Sequence, residues 1–277
     1  MSQIIFTGGL GNQMFEYALY LGMLHRGRKP KINTGIITRH KTHNGFELCD
    51  VFNIDRASLD IVNSGRVGGD LTLLAQRCLK GLCCYFEDQG VYSEEVFSTS
   101  KALISGFWQN ERYFSDISDE VRKAFTFRGI DQRNQLLGDE MSGCNSVSVH
   151  IRRGDYLMYD YFQACTPEYY RRAIEFIISR VEKPLFFVFS DDLAWSGKFM
   201  EECGVEYRLV DHNRGKDSYK DMYLMSRCRH YIIANSSFSW WGAWLGEDEG
   251  KTVACPSEWF KGKTNYKCPA GWVRIKV

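Results

Sequence analysis

The second half of the chain carries the clearest pattern of apolar and polar positions. Ser146-Val-Ser-Val-His-Ile151, Leu185-Phe-Phe-Val-Phe189, Val205 to Val210, Tyr231-Ile-Ile-Ala234 and Thr252-Val-Ala-Cys255 are short runs of strand length. Most of them are nearly continuous in β-branched, aromatic or small residues, as strands buried on both faces are. Runs of helical period separate them: one opens at Thr166-Pro167 and continues through Tyr170, Ile174 and Ile177, with Thr as N-cap and Pro at the first position. Others are Trp195 to Cys203, Asp217 to Cys228, and the stretch from Phe238 to Leu245. Strands alternating with helices require parallel pairing through crossovers, so this half reads as a Rossmann-like sheet covered on both faces.

The first half is less regular. Gln3 to Thr7 predicts a strand, Gly8-Gly-Leu-Gly11 a tight turn, and Asn12 to Arg26 a helix with Met14, Ala18, Leu21 and Leu24 on its apolar face and Gly27 as its stop. Residues 28–140 mix short apolar runs with glycine-rich and charged pieces, and Asp116 to Phe125 predicts a helix. The polar run Gly129 to Asn145 reads as a linker. The expected division is an α/β domain over 1–140 and a more regular α/β domain over 141–277.

Composition narrows the function. With 35 Lys+Arg against 34 Asp+Glu, the net charge of +1 provides no broad attraction for a nucleic acid, so an anionic ligand must be held locally. None of the ten cysteines forms a C-x-x-C pair, which speaks against a zinc site or a regular disulfide framework and for a reduced, cytoplasmic chain. No stretch has the length and apolarity of a signal peptide or transmembrane helix. Aromatic residues make up 14%, a composition that suits sugar binding.

Two arginines at the carboxyl end of a buried strand carry the strongest chemical signal. In His150-Ile-Arg-Arg-Gly-Asp-Tyr156, Arg152 and Arg153 stand where open α/β sheets bind ligands, and guanidinium grips phosphate with two parallel hydrogen bonds. By strand alternation His150 points the same way as Arg152. A second strand ends in Asn235-Ser-Ser-Phe-Ser239, where Ser236, Ser237 and the N–H groups at Phe238 form a helix start suited to phosphate, or a plain N-cap. Trp240, Trp241 and Trp244 have helical spacing and read as core. Asp191 and Asp192 end a third strand, where a carboxylate can accept from ribose hydroxyls or a base edge, and Asp221 can reach a purine base. No Asp-x-Asp triplet occurs, so a diphosphate held by arginine and helix dipole is expected in place of a metal clamp. Gly11, Asn12 and Gln13 open a helix after a glycine turn, but the spacing is not the dinucleotide G-x-G-x-x-G.

With Gly8-Gly-Leu-Gly-Asn-Gln-Met-Phe15, His150 to Tyr156, Ser190-Asp-Asp192, and Asp221 to Cys228 leading into Ile233 to Leu245, the sequence resembles the α-1,2-fucosyltransferase family, especially its short bacterial members. The His-x-Arg-Arg-x-Asp core is shared with α-1,6-fucosyltransferases. The resemblance implies a GT-B architecture of two Rossmann-like domains facing a cleft, GDP-fucose as donor, no metal or other cofactor, and inversion at the fucose anomeric carbon. It also implies a galactose-terminated glycan or lipid-linked oligosaccharide as acceptor, and a cytoplasmic setting compatible with peripheral attachment to the inner membrane face. Carried over by motif, Arg152 meets the donor β-phosphate and Arg153 supports it, Ser236, Ser237 and Phe238 form the phosphate turn, and Asp191 or Asp192 and Asp221 lie near the nucleoside. Asn12 and Gln13 would face the transferred sugar or the acceptor. The resemblance does not identify the base: Asp155 within the motif and Asp160 beyond it are the candidates, with the leaving phosphate as a further one.

Overall fold

The computed structural model describes residues 2–40, 43–63, 83–88, 90–154, 165–260 and 268–277. The chain divides into two compact units, Met1–Arg128 and Gly129–Val277. The division therefore precedes the expected one at 140, because the predicted linker is a helix. Asp131 caps it, accepting from the Asn134 N–H at 3.1 Å, and Asn134, Gly138 and Met141 form its buried stripe. That stripe holds one apolar residue, which is why the sequence looked like solvent-exposed linker.

In the first unit the parallel sheet has the order β3-β2-β1-β5-β4 among the described residues. The strands are β1 (Gln3–Ile5), β2 (Lys31–Asn33), β3 (Ile61–Val62), β4 (Cys84–Phe86) and β5 (Leu103–Ser105). Helix α1 runs Leu10–His25, two residues earlier than predicted, with Gly9 and not Asn12 at its N-cap. It is buried along most of its length. Short helices α2 (Gly35–His40), α3 (Leu48–Val51) and α4 (Ser118–Ala124) complete the regular α structure described here.

The second unit has the order β11-β10-β9-β6-β7-β8, all parallel. Its strands are β6 (Ser146–Ile151), β7 (Leu185–Ser190), β8 (Tyr207–Val210), β9 (His230–Ile232), β10 (Val253–Pro256) and β11 (Val273–Ile275). The helices are α5 (Gln132–Ser142), α6 (Pro167–Ile178), α7 (Leu193–Cys203), α8 (Tyr219–Arg227) and α9 (Ser237–Leu245). All six residues of β6 are buried, and its Val147, Val149 and Ile151 pack in one core with Tyr169, Tyr170, Ile174 and Ile177 of α6. Trp240, Trp241 and Trp244 are core residues, as their spacing predicted. Edge strand β11 was not expected, since its short run is largely exposed. Cys255 and Cys268 are disulfide-bonded, with Cα atoms 6.9 Å apart, a pairing the spacing did not announce. No helix among the described residues is long and apolar enough to cross a membrane.

Candidate functional site

The strand order of the second unit locates its ligand crevice. From β6 the chain builds outward to β7 and β8, then returns to the other side of β6 as β9. The switch point lies between β6 and β9, and in such sheets the crevice opens beyond the carboxyl ends of those two strands. Arg152 follows β6, and Ser236 follows β9 as the N-cap of α9. Two adjacent tyrosines of α6 fix both strand ends: Tyr170 Oη donates to the His150 carbonyl at 3.1 Å and Tyr169 Oη to the Ile233 carbonyl at 2.6 Å. Both tyrosines are fully buried. The helical period picked out Tyr170 and passed over Tyr169, so this clamp was invisible in the sequence.

Ion pairs and hydrogen bonds hold the arginine loop from below. Arg152 Nη1 lies 3.0 Å from Asp191 Oδ2, while the Arg153 backbone N–H donates to Asp191 Oδ1 at 2.9 Å. A Cβ on Gly154 would come within 2.9 Å of Asp191 Oδ2, so the turn after the arginines needs glycine for this close approach. Arg153 Nε lies 3.2 Å from Asp192 Oδ2, and its guanidinium stacks 3.9 Å from the Trp195 ring. Asp192 also caps α7 through the Trp195 N–H at 3.1 Å. The two aspartates expected at a ribose are thus seen holding the arginine loop. Arg152 is half-buried, and guanidinium is the side chain that can grip an oxyanion with two parallel hydrogen bonds.

On the other flank, Ser236 Oγ accepts from the Phe238 N–H at 3.3 Å, and Ser237 and Phe238 are half-buried at the start of α9. The helix dipole therefore adds positive potential near Arg152's strand. Asn235 is buried and spends its Nδ2 on the Trp259 carbonyl at 2.7 Å, a structural bond. His150 packs 6.1 Å from the Phe238 ring. Burial, helped by the Arg152 charge, lowers its pKa to about 3, so the imidazole is neutral. Its Nδ1 is buried with no hydrogen-bond partner among the described residues.

Asp221 lies in the first turn of α8, the helix reached from the carboxyl end of β8. Burial raises its carboxyl to about 7 against the lowering effect of Asn213, whose Nδ2 donates to Oδ1 at 2.8 Å. Asn213 is held in turn by Asn134 of α5, with bonds of 2.9 and 3.1 Å between the two amides. Neither asparagine stood out in the sequence, because the pairing joins residues far apart in the chain.

In the first unit, the structure corrects the expectation for Gln13. This side chain is fully buried: Nε2 donates to the Gly8 carbonyl at 3.1 Å and the Gly45 carbonyl at 2.8 Å, and Oε1 accepts from the Glu47 N–H at 2.9 Å. With its amide so engaged it is scaffold and cannot face a sugar. Gly11 is buried too, whereas Asn12 is half-buried and accepts at Oδ1 from Gln109 Nε2 at 2.8 Å. Asp155 and Asp160 lie outside the described residues. No cluster of three or more metal-ligating side chains occurs among the described residues.

A profile of glycosyl transferase family 11 matches residues 91–276. The chain is 37% identical to an α-1,2-colitosyltransferase of Escherichia coli, over 98% of this chain and 97% of the relative. This protein belongs to glycosyl transferase family 11. A human galactoside α-(1,2)-fucosyltransferase is 26% identical over 51% of this chain and 42% of its own length. The fold resembles that of the fucosyltransferase NodZ from Bradyrhizobium, with a TM-score of 0.50, 15% identity, and coverage of 87% of this chain and 92% of that one. The chain is thus a family 11 glycosyltransferase, related to α-1,2-fucosyl- and α-1,2-colitosyltransferases, with the two parallel α/β units described above.

Proposed function

We propose that this protein transfers L-fucose from GDP-fucose to a hydroxyl of a glycan, O2 of a terminal galactose being the favoured position, with inversion at the anomeric carbon. In this reading the second unit holds the donor, and the first unit serves the acceptor. The observation that carries the reading is the strand order, in which Arg152 follows β6 and the α9 N-terminus follows the neighbouring β9 at the switch point. Cleavage of the sugar–phosphate bond builds charge on the β-phosphate, and a fixed guanidinium and helix dipole stabilise that charge more in the transition state than in the ground state. Asp221 meets the nucleobase, and neutral His150 lines the crevice without adding charge. The diphosphate needs no metal in this scheme, so activity survives EDTA; loss on chelation with recovery on adding magnesium would refute that part.

The colitosyltransferase relative favours a second donor, GDP-colitose. Colitose is L-fucose without the 3-hydroxyl, so both donors present the same diphosphate and base to the second unit. Competing the two GDP-sugars at equal concentration and analysing product linkage decides between them. The test of the shared core is Arg152→Ala, which is expected to weaken GDP binding by about 10- to 100-fold, from the ~1.5–3 kcal/mol of a charge-assisted bond, and to abolish transfer. Near-normal GDP affinity by calorimetry together with near-normal turnover would overturn the assignment.

A further inference from the structure

Asp221 stands at the end of a chain of polar contacts that starts on α5, within the second unit. Asp131, the N-cap of α5, is an ionised carboxylate: hydrogen bonds from Lys220 and Asn134 hold its pKa far below the usual carboxylate range. An ionised carboxylate can only accept, so Asn134 Nδ2, 2.9 Å from Asp131 Oδ2, is fixed in direction. The same nitrogen donates to Asn213 Oδ1 at 3.1 Å, and Asn134 Oδ1 accepts from Asn213 Nδ2 at 2.9 Å. His212 Nε2, 3.1 Å away, donates to that oxygen as well. Both donors and both acceptor positions of the Asn134 amide are thereby filled, and the residue is 1% exposed.

Asn213 inherits this direction. Turning its amide over would set nitrogen against nitrogen and oxygen against oxygen at Asn134, so Nδ2 must face Asp221, whose Oδ1 accepts it at 2.8 Å. Asp221 Oδ2 makes no hydrogen bond among the described residues. The charges around this carboxyl are committed elsewhere: Lys220 lies 2.9 Å from Asp131 and 2.7 Å from Asp217, burial lowers the pKa of His212 and leaves it neutral at pH 7, and α9 carries no charged side chain. Helices α8 and α9 both follow strand carboxyl ends and pack closely, Gly242 against Met225. The first turn of α8 is therefore at the end of the sheet where the ligand crevice opens.

We propose that Asn213 and Asn134 are specificity-determining positioning residues, which hold the Asp221 carboxyl so that the site takes guanine and rejects adenine. The inference rests on the contact between Asp221 and the nucleobase proposed above. Guanine presents two N–H donors side by side on an edge where adenine presents one donor and one acceptor. A carboxylate held ionised and in one orientation answers the first edge and repels the acceptor of the second. With Oδ1 committed to Asn213, a neutral Asp221 would carry its proton on Oδ2 and offer the acceptor and donor pair that adenine fits. The Asn213 bond favours the ionised form, so one contact both orients the group and keeps it in the state that reads guanine.

Calorimetry of GDP and ADP binding to the full chain tests this, since the two ligands share ribose and diphosphate and differ only in the base. Asn213→Ala and Asn134→Leu are expected to lower the GDP-to-ADP affinity ratio by about 10- to 100-fold, the range for one charge-assisted hydrogen bond, through weaker GDP binding with ADP little changed. Asn213→Ala should also move the pH at which GDP affinity begins to fall upwards, because the carboxyl loses a donor that favours its charge. Asn213 is half-buried in the loop after β8, so its variant decides the matter if the buried Asn134→Leu does not fold. Substitutions that merely loosened the fold would weaken both nucleotides together and leave the ratio and the pH midpoint in place; that result overturns the proposal, as does a ratio within about threefold of the parent. Asp221→Ala separates the two readings. If it abolishes the preference for GDP while the asparagine variants keep it, the relay alone is wrong; if it too keeps GDP affinity and the ratio, Asp221 does not meet the base and both readings fall.

Discussion

Asp221 and His150 occupy one unit and are shifted in opposite senses from the same cause. Burial disfavours charge, so it raises the carboxyl from 3.8 to about 7 and lowers the imidazole from 6.5 to about 3. For Asp221 the folded protein holds a proton that the unfolded chain has lost between those two values; its burial is tolerated best near pH 4 and destabilises increasingly as pH rises towards 7. For His150 the unfolded chain takes up the proton first, so stability declines as pH falls from 6.5 towards 3. Guanine offers N–H donors on the edge that Asp221 would meet, and a carboxylate accepts them better than a carboxylic acid. GDP affinity is therefore expected to fall about tenfold per unit as pH drops below about 7, and to be flat above it. Asp221→Asn should weaken binding and flatten that profile; a parent profile already flat between about pH 5.5 and 8.5 would exclude Asp221 from the base site. At this scale the sequence disclosed residue types but not their commitments. Arg152, Ser236 and Asn12 were singled out from position alone. The bonds that Gln13 and Asp192 make were not foreseen, because a side chain's partners depend on tertiary contacts with segments far away in the chain.

Elements were legible where burial is two-sided. Strands β6 and β7 are continuous apolar runs, and α6 and α7 carry their own caps in Thr166 and Asp192. The strands of the first unit span two or three residues each, too short for a period-2 pattern to be distinguished from chance. Helix α5 was missed because asparagine and glycine fill two of its buried positions. The pairing of α8 with α9 shows what such close packing demands: a Cβ at Gly242 would lie 2.8 Å from Met225 Cβ. Gly242→Ala must force the helices apart, at a cost of about 1–3 kcal/mol. A melting temperature lower by several degrees is expected, with weaker GDP binding because α9 carries the proposed phosphate turn. An unchanged melting temperature would mean that the two helices yield freely at this contact.

For the whole molecule, the repeated feature is a sheet begun at its middle. Both units start on a central strand, extend one way, and later return to its other side, which is why each has a topological switch point, and alternating strand and helix signals in the second half were enough to foresee its class. The boundary was not foreseen, since polarity at Gly129–Asn145 concealed a helix. The disulfide between Cys255 and Cys268 was not foreseen either, because spacing does not specify spatial neighbours.

A sheet begun at its middle also orders events during synthesis on the ribosome. Strand β6 and Arg152 emerge early in the second unit, yet one flank of β6 stays unpaired until β9 arrives, and the helix cap at Ser236 comes later still. The growing chain therefore exposes an apolar strand edge open to pairing with other chains, and completes the proposed nucleotide site only when that edge is covered. If the proposed site holds, nucleotide in the surroundings would stabilise the finished sheet and have nothing to grip in the half-built one, acting as a clasp on the completed fold and not as a template for it.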